Sequence, residues 1–196
     1  MLKNATVKRL LKKAYKEGSF TVGQTEAGWL YITDYHWVIC VDFRECPKEI
    51  KAAVMEFAGE LPEAGKAFTV QKDSPNQYKI VEEVFIVPNR YQDTINTNKC
   101  KETNIIFSWG DKRYRMMDAV DTAHVVREDF LDLLNQDSEG IEDPFCPDPT
   151  NPSFIWHTGL VYLQILPLGF HQGDVSDKKS EFDAVAAAFG MKVHEY

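Results

Sequence analysis

Six cations, Lys3, Lys8, Arg9, Lys12, Lys13 and Lys16, stand within the first sixteen residues, and every one of the 30 Asp and Glu lies after them. In a chain of net charge -8 this is a pronounced polarity. Ammonium and guanidinium groups gathered on one short stretch suit a polyanion, because each neutralises a phosphate and releases condensed counterions. Lys8, Arg9, Lys12, Lys13 and Lys16 are therefore the candidate contacts to such a polyanion. If all five touched phosphates, log K would fall against log salt with a slope of about -0.9 per contact, with little dependence on base sequence. The plainer reading is a solvated surface helix whose charges serve solubility.

Other chemistry finds less support. The histidines at 36, 124, 157, 171 and 194 are scattered, and His171 with Asp174 is an ordinary polar loop grouping. Cys40, Cys46, Cys100 and Cys146 show neither C-x-x-C pairing nor zinc-finger spacing and read as reduced thiols. Cys40 or Cys146 paired with a histidine would make a nucleophile, but Cys40 falls in a strand where a small apolar filler fits better. The acidic pairs Glu82-Glu83, Asp118 with Asp121, and Glu142-Asp143 lack calcium-loop spacing. No phosphate-binding glycine loop of either common kind occurs. We expect no catalytic residue, no metal and no cofactor. Trp29, Tyr31, Tyr35 and Trp37 resemble a stacking platform for single strands, yet residues 25 to 42 contain no Lys or Arg to hold a backbone.

The basic stretch needs a helix to present it. Val7, Leu10, Leu11, Ala14 and Tyr15 recur at i, i+3, i+4, i+7 and i+8, which gathers them on one stripe and leaves the cations opposite. Gly18 ends it. Like charges at i,i+4 repel by a few tenths of a kcal/mol, about 0.2–0.5 per pair, so a packed apolar stripe or an anionic partner must hold this helix.

Short strands separated by turn formers follow: 20–25, 30–33 and 36–43, the last alternating Trp37, Ile39 and Val41 with Val38, Cys40 and Asp42. A second helix starts at Pro47 and stops at Gly59 to Pro62. Strands are expected near 67–71, 78–87, 105–109 and 113–117, then a third helix over 127–135. Asp143-Pro144, Cys146-Pro147, Asp148-Pro149 and Asn151-Pro152 mark 136–152 as irregular, either an ordered surface excursion or a mobile arm. Strands at 154–157 and 160–166, a fourth helix over 177–189 and a short tail strand complete the chain.

The class is α+β, with amphipathic helices alternating with short antiparallel meanders. Residues 1–90 form a helix–meander–helix–strand unit and 91–196 a strand–helix–hairpin–helix unit, or the two form one continuous domain. No apolar run reaches the ~18 to 20 residues of a membrane span, and the start lacks a secretory signal, so a cytoplasmic protein is expected.

With these elements placed, the chain resembles the sliding clamps that act as DNA polymerase processivity factors. The similar stretches are the opening helix with Phe20 to Asp42, the Pro47 helix followed by Leu61-Pro62-Glu63 and Phe68-Thr69-Val70-Gln71, Asn104 to Met117 leading to Val125 to Leu134, and Leu160 to Leu168. The resemblance implies a ring or partial ring whose helices face duplex DNA. It implies DNA or replication proteins as partners, and homo-oligomerisation, since this chain is too short to close a ring alone. Glu128, Asp129 and Asp132, Glu181 and Asp183, and Glu49, Glu56 and Glu60 on the other helices depart from a wholly basic bore. Two alternatives stay open: a protein-binding accessory module using its acidic surface or the 143–152 loop, and a hydrolase with a site assembled from loop His and acidic residues.

Overall fold

The computed structural model describes residues 1–80, 98–119, 122–135, 141–148, 152–168, 176–188, 190 and 192–193. Helix α1 (Asn4–Glu17) leads into the meander β1 (Ser19–Gln24), β2 (Trp29–Thr33) and β3 (Trp37–Asp42). Helix α2 (Lys48–Ala58), β4 (Lys66–Gln71) and β5 (Gln77–Ile80) follow. Then come β6 (Cys100–Trp109), β7 (Lys112–Ala119), β8 (Thr122–Arg127) and the single turn α3 (Glu128–Leu131). The chain closes with β9 (Phe154–His157), β10 (Val161–Ile165), α4 (Ser176–Ala188) and β11 (Lys192–Val193). The fold is α+β: seven strands run β5-β4-β1-β2-β3-β10-β9 in one sheet and four run β11-β8-β7-β6 in another.

Alternation decides which face of the larger sheet meets the helices. Phe20 opposite Val70, Val22 opposite Phe68, Ile32 opposite Ile39, and Ile39 opposite Leu163 stack apolar side chains across neighbouring strands. Val7, Leu10 and Leu11 of α1 and Ile50, Ala53 and Val54 of α2 are buried against this face. Burying such a side chain contributes about 1.5–3 kcal/mol, far more than the charge repulsion along α1 costs. Strand β10 pairs with β3, so both stretches of the chain share one sheet and one core. At its end α2 has a left-handed glycine, Gly59 at φ 80°, whereas Gly18 leaves α1 with extended backbone at φ -169°.

The smaller sheet is covered on both sides. Met117, Ala119 and Val126 face the main core, while Tyr114, Met116, Ala123 and Val125 pack against Phe182 and Ala186 of α4. That double burial explains why no strand is expected from the sequence over β8, ahead of the helix expected from 127: its central residues are buried on both faces, so no period-two alternation marks the strand. The expected third helix is correspondingly shorter. Its last residues are taken by the amino terminus, since Lys3 N–H donates to the Leu133 carbonyl at 2.8 Å and Asn135 N–H donates to the Met1 carbonyl at 2.6 Å.

The described part of the proline-rich segment, 141–148, is irregular as expected but is held in place and buried at 144–146, not carried on the surface. Phe145 is buried and bridges Lys99 on one side and Ile155 on the other, so this residue links the edge of the four-stranded sheet to the edge of the seven-stranded one. The prolines at 144 and 147 flank it without occupying the donor positions that the bridges need. The expected strand over 78–87 is described only to Ile80. Glu82, Glu83, Asp121, His171, Asp174 and His194 lie outside the described residues.

Candidate nucleic-acid interface

Helix α1 sits between two neighbours, and each takes one of its cations. On the α2 side Lys8 Nζ meets Glu56 Oε2 at 2.6 Å, Asn4 Nδ2 donates to Glu49 at 3.3 Å, and Tyr15 packs on Phe57 with centroids 5.4 Å apart. On the α3 side Arg9 reaches Asp132 at 3.6 Å. Lys12 and Lys16, on the crest between the flanks, are exposed, and Lys13 is half-buried. None of these three has an ion pair among the described residues. Of the five sequence-predicted contacts, the structure thus pairs two with its own carboxylates and leaves three open.

Both pairs are weak restraints. The Lys8, Glu56, Arg9 and Asp132 side chains are all about half exposed or more, and such pairs contribute about 0–1 kcal/mol. A phosphate therefore competes with either carboxylate at small cost.

A groove of about 380 Å³ runs beside α1, lined by Arg9 and Lys13 on one wall and by Lys112, Arg113 and Arg127 with their acidic neighbours on the other. Lys112 and Arg113 follow the Gly110 turn between β6 and β7 and are cations that the sequence reading missed. Their signal was the Trp109-Gly110-Asp111 hairpin turn followed at once by two basic residues; what it lacked was any indication that the turn lies opposite α1.

The acidic residues of α3 change meaning in this setting. Glu128 binds Arg113 at 3.0 Å and Arg115 at 2.8 Å, Asp129 binds Arg127, and Asp132 binds Arg9. Each is matched to an arginine, so the groove is not a net acidic wall: it holds five cationic and four acidic side chains. No ion pair of Lys13 or Lys112 occurs among the described residues. Lys13 also borders a second groove of about 270 Å³, where Tyr35, His36 and Phe130 supply aromatic surface and His36 stacks on Phe130 at 6.2 Å.

No protein-family model matches the chain, and no curated protein matches it.

Elsewhere His124, His157, Cys40 and Cys46 are occupied by packing. His124 is buried edge-on to Phe154, and His157 stacks on Tyr162. Burial pushes the Cys40 thiol far up and the Cys46 thiol up to about 11, which leaves both protonated. Among the described residues no group of three or more His, Cys, Asp or Glu gathers about a common point. Trp37 is fully buried and Trp29 is half-buried against Tyr162, so the aromatic run of the meander is largely core. Among the described residues no helix is long and apolar enough to cross a membrane.

Proposed function

We propose that this chain is a non-enzymatic, clamp-like protein that associates with duplex DNA, alone or beside replication proteins, through the open crest of α1. One observation carries the reading: Lys12, Lys13 and Lys16 stand without ion pairs among the described residues, on a helix whose opposite stripe, Val7, Leu10 and Leu11, is buried. A docked helix holds the backbone under its charges in fixed register, so only the lysine side chains, and not the segment that carries them, are ordered when a phosphate backbone binds. Lys8 and Arg9 are secondary contacts, released from Glu56 and Asp132 when phosphate arrives. Lys112 and Arg113 extend the cationic surface across the groove. The acidic balance of the remaining chain limits indiscriminate binding. A second copy would be needed to enclose a duplex. A cytoplasmic setting agrees with four cysteines that are all unbridged.

The test is fluorescence anisotropy with a labelled duplex across a salt series. Three phosphate contacts give a log K against log salt slope of about -2.7, and all five give about -4.5. Combined Lys12→Glu, Lys13→Glu and Lys16→Glu substitution should abolish binding while the melting temperature is retained. Absence of affinity at low salt, or affinity that survives charge reversal, removes the proposal and leaves the protein-binding alternative.

A further inference from the structure

Where the two sheets meet, two cysteines face each other. The Lys99–Phe145 bridge is flanked by Cys100 N–H donating to the Pro144 carbonyl at 2.7 Å and Cys146 N–H donating to the Asn98 carbonyl at 3.1 Å. This register sets Cys100 and Cys146 on a diagonal of the same face, near enough that each thiol shifts the titration of the other, while Cys100 Sγ lies 3.3 Å from the Asn98 carbonyl and Cys146 Sγ 3.4 Å from the Asp148 carbonyl. Both are buried in the main core. Two residues beyond Cys146 the chain is again exposed, at Asp148, so the pair lies close under the surface.

We propose that Cys100 and Cys146 are a redox modification site, closing to a reversible disulfide with hydrogen peroxide as oxidant and so latching the seam between the sheets. The reacting sulfur is that of Cys146. It is the one cysteine held below its ordinary range, first by its interaction with the Cys100 thiol and then, against the desolvation that burial imposes, by the Ser153 and Asp148 backbones. Cys100 is correspondingly pushed up and stays protonated. The Cys146 thiolate attacks one peroxide oxygen, the O–O bond breaks, and the departing hydroxide takes the proton that Cys146 had released, giving water and a sulfenic acid. The Cys100 sulfur then attacks the Cys146 sulfur as its own proton passes to the leaving hydroxide, giving the second water. Two thiols lose two electrons and two hydrogens, and one peroxide becomes two waters.

Diagonal partners on a sheet start with Cα atoms about 7–8 Å apart, beyond the about 4.4–6.8 Å that disulfides span, so closing the bridge must draw the backbones of the seam together. The bridge is therefore strained when formed. Strain raises the reduction potential and makes it a reducible latch, open under ordinary thiol concentrations, instead of a permanent staple.

The test uses the full chain, folded and reduced, treated with hydrogen peroxide and mapped by mass spectrometry without reduction. The expected result is a Cys100–Cys146 peptide pair lighter by about 2 Da for the two hydrogens lost, restored by dithiothreitol, with Cys40 and Cys46 unmodified. Amide exchange at Phe145 and Ile155 should slow in the oxidised form. In Cys100→Ser the same peroxide should leave a dimedone-reactive sulfenic acid at Cys146 and no cross-link. A wild-type map without the bridge, a bridge to Cys40 or Cys46, or overoxidation of Cys146 without bridging would each overturn the proposal, and the wild-type map decides even if the variant fails to fold.

Discussion

Glu56 Oε2 lies 2.6 Å from Lys8 Nζ, so the second helix reclaims a cation that the first helix presents. Arg9 is held in the same way by Asp132 from the opposite flank. The charge on α1 is thereby graded: paired at its start, open at Lys12, Lys13 and Lys16. Such an arrangement keeps a solvated helix from repelling itself at full strength while leaving the final two turns free for an anion.

Because those ion pairs compete with phosphate, Glu56→Gln and Asp132→Asn should tighten duplex binding. Each pair is worth at most about 1 kcal/mol, so the gain is up to about fivefold per substitution at low salt. The salt slope should steepen by up to about 0.9 for each cation that the wild type holds back from phosphate, and stay unchanged for one already released on binding. Titrations of the single and double variants against one duplex measure both quantities; affinity and slope both unchanged would show that Lys8 and Arg9 never approach the phosphates.

The features of α1 were legible because they are local. Val7, Leu10 and Leu11 sit at helical spacing and are buried, and the three-strand meander announces itself through Trp37, Ile39 and Val41, which point into the core. Strand β8 was hidden because Ala123 and Val125 face α4 while Val126 faces the main core, a double burial that erases alternation. Phe145 was hidden for another reason: its partners, Lys99 and Ile155, are set by tertiary pairing, and four neighbouring prolines suggest only irregularity. The site divides likewise. The cations of α1 could be read directly, but the pairing of Glu128, Asp129 and Asp132 with arginines depends on contacts with β7, β8 and α1 that no spacing rule encodes.

Docking of α1 through its stripe makes a sharp contrast between adjacent residues. Leu11 is fully buried and Lys12 is exposed. Leu11→Ala should destabilise the protein by about 2–5 kcal/mol, through lost transfer energy and the cavity left behind. Lys12→Ala should change stability by no more than about 0.5 kcal/mol. Denaturant unfolding followed by the fluorescence of the buried Trp37 and Trp156 reads both; comparable losses would mean that Lys12 has a structural role that the fold does not display.

A last consequence concerns acid. Past the end of α2, the Glu60 carboxylate accepts a hydrogen bond from the Tyr78 hydroxyl of β5 and another from Asn76 Nδ2 at 3.1 Å, while Asn76 also donates to the Ala58 carbonyl at 3.0 Å. The tyrosine first, and then the asparagine, hold Glu60 below the ordinary glutamate range. A depressed native value means that the unfolded chain binds the proton more readily. The stabilisation is therefore complete above the unfolded value of about 4.3 and fades as pH falls through the native one. Tyr78→Phe removes the main cause, so the Glu60 midpoint should rise towards about 4.3 and its share of the acid-side slope of stability should shrink. Carboxyl-carbon NMR titration of both proteins follows Glu60 directly. A midpoint unmoved by the substitution would assign the shift to Asn76 and would show that the contact between β5 and the end of α2 does not govern this carboxylate.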